Sequence, residues 1–238
     1  MLERAFRKLH AETSPNGLRV TAIKDLSLTF HRGEFSAIAG PSGSGKSTLL
    51  NLIGTLDPPT HGKIFFQDKE VTYMSEDALA DFRLRSIGFI FQAYNLLPVL
   101  TAAENVAYVL DLQGAKVPGF FWHKKCLAHF AARKERRARA LEALEMVGLK
   151  SQADRFPRQL SGGQQQRVAI ARAIVHRPTV VLADEITANL DSKTSESLLD
   201  LMQDLNKKKG VTFIFSSHDP LVLSRAKRVI QLRDGMLT

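Results

Sequence analysis

Between Leu26 and Phe30 apolar and polar residues alternate as Leu, Ser, Leu, Thr, Phe, the period of a strand with one buried face. A turn at His31 to Gly33 follows, then a second strand from Phe35 to Ala39. Further strands are expected at Ile64 to Phe66, Gly88 to Gln92, Val180 to Asp184, Val211 to Ser216 and Val229 to Leu232. Several are continuous apolar runs, as in parallel strands with helices over both faces. Ser47 to Ile53 open a compact helix halted by Gly54, Pro58 and Pro59. From Asn95 to Leu160 long helical stretches dominate, notably Leu127 to Met146. Ser192 to Lys209 reads as a helix whose Lys207, Lys208 and Lys209 complement the negative end of its dipole before Gly210 stops it.

The strand at Phe35 to Ala39 runs straight into Gly40, Pro41, Ser42, Gly43, Ser44, Gly45, Lys46 and Ser47. In such a loop small residues let backbone N–H groups wrap a phosphate, Lys46 reaches the terminal phosphates, and the Ser47 hydroxyl ligates magnesium. Thr48 adds a hydrogen bond to the first phosphate. A strand, glycine loop and helix in this order predict a P-loop NTPase core of α/β class. We expect a largely parallel, mixed sheet covered by helices, an antiparallel part near the N-terminus and an inserted helical subdomain. One domain then spans residues 1–238, with its core at about 1–94 and 161–238 and the helical subdomain at about 95–160.

A second glycine-rich helix start, Leu160 to Gln164, has no lysine. Ser161, Gly162 and Gly163 can still aim a hydroxyl, free N–H groups and the positive end of a helix dipole at one phosphate. Each motif occurs once, which suggests a nucleotide held from two sides. At the end of an apolar strand lie Asp184 and Glu185, where parallel sheets bind ligands. Asp184 is placed to hold magnesium through water, and Glu185 to polarise the attacking water as general base.

The 238 residues suffice for a sizeable core, and the net charge of +9 implies attraction to something acidic. No zinc-ligand spacing, RNP-type aromatic motif or helix-turn-helix is evident, so a nucleic-acid partner is not expected. The single cysteine, Cys126, excludes an internal disulfide framework. With no apolar run near the ~18 residues of a spanning helix and no leader near Met1, a cytoplasmic location is expected.

These motifs, with Phe91 and Gln92, the run from Leu160 to Ala173, Asn189 to Asp191, and His218, closely resemble the ATP-binding subunit of ABC transporters over nearly the whole chain. The nearest flavour is the bacterial lipoprotein-release and macrolide-export type. The resemblance implies ATP and magnesium as ligands and a head-to-tail dimer, in which Lys46 of one subunit faces Ser161, Gly162, Gly163 and Gln164 of the other. It makes Gln92 a magnesium or water sensor with Ser47 and Asp184, His218 a γ-phosphate contact, and Asp191 an interface residue. A satisfied structural histidine and a helix N-cap explain His218 and Asp191 equally well locally. It also implies transmembrane permease partners, a peripheral position on the cytoplasmic face of the membrane, and work as export, lipid or lipoprotein extraction, or mechanical transmission. The rival is a soluble ABC ATPase acting on nucleic acid or ribosomes.

Three departures stand out. Ile186 follows Glu185 where the family usually has proline, which frees a backbone N–H and loosens the loop that holds the base, although hydrolysis should survive. No aromatic residue stands where adenine is normally stacked; His10 is the best substitute. An insertion near 117–132 carries Phe120, Phe121 and Trp122 among basic residues, either a small apolar patch beside a solvated basic face or a contact with the membrane surface or the membrane partner.

Overall fold

The computed structural model describes residues 3–13, 20–114 and 125–238, with side chains at Ala11, 21–114 and 132–238. The His10 side chain and Phe120, Phe121 and Trp122 lie outside that set. Strands β1 (Glu3–Thr13) and β2 (Val20–His31) form an antiparallel pair, with Glu3 opposite His31 and Thr13 opposite Val20. The alternation from Leu26 to Phe30 belongs to this longer β2: Leu26, Leu28 and Phe30 are buried, while Ser27 is exposed. The turn after His31 then leaves that sheet. β3 (Phe35–Ala39) runs at the centre of a second sheet, and after α1 (Lys46–Ile53) the strands β4 (His61–Phe66) and β5 (Lys69–Glu70) return to the first, whose order is β2-β1-β4-β5.

The remaining elements are α2 (Glu76–Ser86), β6 (Ile87–Ile90), α3 (Ala102–Gly114), α4 (Lys125–Met146), α5 (Gly162–Ile174), β7 (Val180–Asp184), α6 (Ser192–Lys209), β8 (Thr212–Ser216), α7 (Pro220–Arg225), β9 (Arg228–Arg233) and β10 (Met236–Leu237). They complete a six-stranded sheet of order β10-β9-β3-β8-β7-β6, parallel throughout except at β10. The fold is therefore the expected α/β arrangement, a largely parallel sheet with helices and an antiparallel part. The strand expected to reach Gln92 stops at Ile90, because the chain turns there and the Tyr94 amide donates to the Phe91 carbonyl at 3.1 Å.

Strand periodicity sorts the core into two layers. On β7, Val181 and Ala183 face a cluster shared with α3, α4, α5 and α6, whereas Val180 and Leu182 face α1 and the antiparallel sheet. Every residue of β3 is buried, as a central parallel strand requires. Eight-residue α1 is too short to persist alone; Leu49, Leu52 and Ile53 at 0% exposure hold it, each burial being worth ~2 kcal/mol. Before α3, buried Asn105 gathers the chain: its amide donates to the carbonyls of Leu97, Leu100 and Thr101, and its Oδ1 accepts from Leu97 N–H.

Candidate active site

The carboxyl ends of β3, β7 and β8 lie side by side, with Asp184 opposite Ser216 and Ile38 opposite Ser216 on the other side. The loop after β3 therefore faces the acids after β7. A Cβ on Gly40 would stand 2.1 Å from the Leu232 carbonyl oxygen and 2.6 Å from Ser44 Oγ, so no side chain fits. Gly43 needs glycine for a different reason, a left-handed φ of 79°. Gly45 caps α1 without any side-chain hydrogen bond, which leaves the first-turn amides of Lys46, Ser47 and Thr48 free of a capping acceptor. Lys46 is buried, and its Nζ donates to the carbonyls of Gly40 at 2.9 Å and Pro41 at 3.1 Å. The ammonium thus sits within the loop beside the helix N-terminus, a concentration of donors suited to an anion.

Across from the loop, Ser47 Oγ donates to Asp184 Oδ1 at 3.3 Å. A hydroxyl and a carboxylate converging in this way are hard oxygen ligands, and they suit a magnesium ion that keeps several waters. Glu185 takes a left-handed φ of 45°, a strain of ~1 kcal/mol or more for a residue with a Cβ. The surroundings hold it there: its amide donates to the Ser216 carbonyl at 2.9 Å, His218 Nδ1 lies 2.9 Å from its Oε1, and Ser217 Oγ lies 3.5 Å from its Oε2. The carboxylate is aimed by its neighbours rather than free.

Absence of proline after Glu185 does not leave this loop loose. Ile186 is 3% exposed and joins the helical core, and Thr187 Oγ1 donates to Asp219 Oδ2 at 2.6 Å, tying the loop to the N-cap of α7. Gln92 lies exposed in the turn after β6; its carbonyl accepts from Asn189 Nδ2 at 3.4 Å, and no side-chain hydrogen bond to Ser47 or Asp184 is present among the described residues. Tyr94 and Asn95 follow with left-handed φ of 58° and 50°.

The second glycine-rich start sits apart: among the described residues no hydrogen bond joins 40–47 to 161–164. Ser161 caps α5, its Oγ accepting from Gln164 N–H at 3.4 Å while its own N–H donates to Gln164 Oε1 at 3.0 Å, a reciprocal capping box. The glycines also pack closely against side chains inside the chain. A Cβ on Gly163 would lie 2.6 Å from the Thr194 methyl, and one on Gly162 would lie 3.0 Å from the Tyr94 hydroxyl. Asp191 caps α6, accepting from Thr194 N–H at 2.9 Å and Thr194 Oγ1 at 2.6 Å; these bonds, the side-chain one foremost, hold its carboxyl below the usual range. The starts of α5 and α6 flank one open groove of about 470 Å³.

Residues 23–188 match the family model described as ABC transporter. The chain belongs to the ABC transporter family. Within it, an ABC transporter ATP-binding protein of Methanocaldococcus jannaschii, MJ0796, is 44% identical over 217 residues, covering 91% of this chain and 87% of that protein. The lipoprotein-releasing system ATP-binding protein LolD of Idiomarina loihiensis is 41% identical over 231 residues, 97% of this chain and 94% of that one. The macrolide export ATP-binding/permease protein MacB of Syntrophobacter fumaroxidans is 44% identical over 92% of this chain, which spans 28% of it. Dimeric MJ0796 superposes with a TM-score of 0.83 at 40% identity over 100% of this chain and 96% of that one, as does its dimeric post-hydrolysis state with ADP and phosphate. Family membership makes this chain an ATP-binding, ATP-hydrolysing subunit and disfavours the nucleic-acid reading.

Several ABC-site neighbours escaped the reading of motifs. Ser217, Thr187 and Asp219 buttress Glu185, and of these only Asp219 before Pro220 carries a local signal, that of an N-cap followed by proline at the first helical position. Arg172 lies within the Leu160 to Ala173 run, but its pairing with Tyr94 has no local signal, since the contact spans 78 residues of chain.

Proposed function

We propose that this chain works as a homodimer on the cytoplasmic face of a membrane, closing on ATP and reopening after hydrolysis to drive a separate transmembrane permease. The observation that carries this reading is the separation of two complementary halves. The loop 40–47 leads into a helix turn whose Lys46, Ser47 and Thr48 amides have no capping acceptor, beside Asp184, while the partly exposed start of α5 makes no hydrogen bond to that loop in its own chain. A second copy, packed head to tail, brings Ser161, Gly162, Gly163 and Gln164 to the nucleotide held by the first, with Asp191 at the interface. The dimeric assembly of MJ0796 supports this.

In hydrolysis, Lys46 and the loop amides stabilise charge on the transferred phosphoryl group, and Ser161 of the second copy adds a donor from the opposite side. Glu185 takes the proton of the attacking water, and His218 keeps the carboxylate in line. Ser47, Asp184 and Gln92 would hold a magnesium ion, which would neutralise phosphate charge. A groove of about 410 Å³ beside the Gln92 turn, lined by Leu56, Leu84, Phe89, Phe91 and Val109, offers an apolar seat for a permease segment. Export or extraction of an amphiphilic cargo is the work that fits, given the similarity to LolD and MacB.

Glu185→Gln removes the base and keeps the phosphate site. Turnover should fall by at least about a hundredfold while ATP gathers the chain into a dimer, read by light scattering. A variant that stays monomeric at saturating ATP would refute the sandwich.

A further inference from the structure

The turn that carries Gln92 is held by a residue of the Leu160 to Ala173 run to which the sequence alone assigns no role. Arg172, near the end of α5, donates from Nη1 to the Asn95 carbonyl at 2.5 Å and from Nη2 to the Tyr94 carbonyl at 2.8 Å. Those two residues are the consecutive left-handed pair just after Gln92. Among the described residues no carboxylate lies within ion-pair reach of Arg172, and the groove it lines contains neither Asp nor Glu. Burial works against the guanidinium charge and lowers its pKa. A partly desolvated cation with no counter-ion is costly unless its donors are used, and here two are committed to backbone carbonyls.

The same turn meets α5 a second time, where the Tyr94 hydroxyl lies against Gly162 at the start of the helix. Residues 162 and 172 are about 15 Å apart along one helix, at 1.5 Å per residue. The turn is therefore bonded to α5 through Arg172 and packs close to its start at Gly162, while Asn189 holds the Gln92 carbonyl from the loop after Glu185. We propose that Arg172 is a positioning residue that makes the Gln92 turn move as one body with α5, so that engagement of Ser161 to Gly163 by the neighbouring subunit's nucleotide is transmitted to Gln92 at the metal side of its own site. This rests on the roles proposed above for Gln92 and Ser161. Arg172 touches no reacting atom, and its effect runs through the two carbonyls.

The test combines hydrogen exchange of the metal-free, nucleotide-free protein with the magnesium dependence of hydrolysis by the full chain. In Arg172→Ala, exchange in residues 91–97 should rise about tenfold with the rest unchanged, and half-maximal magnesium should rise about tenfold, as in Gln92→Ala. Added guanidinium ion should restore Arg172→Ala and not Gln92→Ala. Arg172→Lys, which keeps the charge and loses the fork, should show the same changes at smaller size and decides the matter if the alanine variant does not fold. Wild-type exchange in 91–97, or an unmoved magnesium midpoint where Gln92→Ala shifts it, overturns the proposal. If Gln92→Ala itself leaves that midpoint unchanged, the role of Gln92 is what fails, and the exchange result still decides whether Arg172 holds the turn.

Discussion

The two glycine-rich helix starts resemble each other on paper and differ in how their donors are used. At α1 the cap is Gly45, without a side-chain acceptor, and the loop before it is closed by tight packing around Gly40. At α5 Ser161 and Gln164 satisfy each other, and the glycines pack against the side chains of Tyr94 and Thr194. The first start leaves its N-terminal amides without a side-chain acceptor, as an anion cradle requires. The second has its Ser161 and Gln164 amides satisfied within its own chain while those of Gly162 and Gly163 have no capping acceptor, so a ligand that takes the Ser161 hydroxyl must compete with the Ser161 to Gln164 box, of which the 3.4 Å bond is the weaker half.

That difference can be broken first at the glycines. Gly40→Ala should cost ~3 kcal/mol, because its Cβ meets a backbone carbonyl that cannot rotate away, whereas Gly163→Ala should cost ~1 kcal/mol as the Thr194 side chain turns aside. Urea midpoints at constant slope measure both; equal losses would erase the distinction. Nucleotide affinity separates the starts next. Lys46→Ala should weaken ATP binding to the isolated subunit roughly thirtyfold, about 2 kcal/mol, and Ser161→Ala should leave it unchanged while weakening ATP-driven dimerisation.

Acid should attack α5 from its other end. Just beyond it, His176 has its pKa pushed down to about 4, chiefly by burial and further by Arg139, against the pull of the Ile87 carbonyl 3.2 Å from Nε2. The folded state keeps the ring neutral while the unfolded chain takes a proton near pH 6.5. Its contribution is therefore complete above about pH 6.5 and is lost as pH falls toward about 4, on the order of 2 kcal/mol by pH 5. His176→Gln should flatten that part of the stability profile. The smallest effect belongs to Gln164→Ala, ~0.5 kcal/mol through loss of one half of the capping box, and no matching residue exists to remove at α1.

Much of this was legible along the chain. Loop 40–47, Asp184 and Glu185 follow from a strand running into a helix or a strand end, and α6 spans the expected Ser192–Lys209 because Asp191 and Gly210 punctuate it locally. Asp191 proved to be the helix cap that its local pattern allowed. Other features resisted because their causes are distant in sequence. β6 ended two residues early where the chain turns under Arg172, and Ile186, read as loosening the catalytic loop, instead anchors it in a core assembled from α3 to α6.

The sequence by itself determined the family and the local punctuation of this ABC subunit: a glycine-rich loop between a strand and a helix, a pair of acids at a strand end, and a helix bounded by Asp191 and Gly210. These depend on neighbours within a few positions, where backbone preference and side-chain type suffice. Only the tertiary structure decided how that chemistry is held. The left-handed Glu185 is fixed by Ser216 and His218, and the Gln92 turn by Arg172 and Asn189. Such contacts form between elements that the sheet order brings together, and that order is a property of the packed core rather than of any local segment.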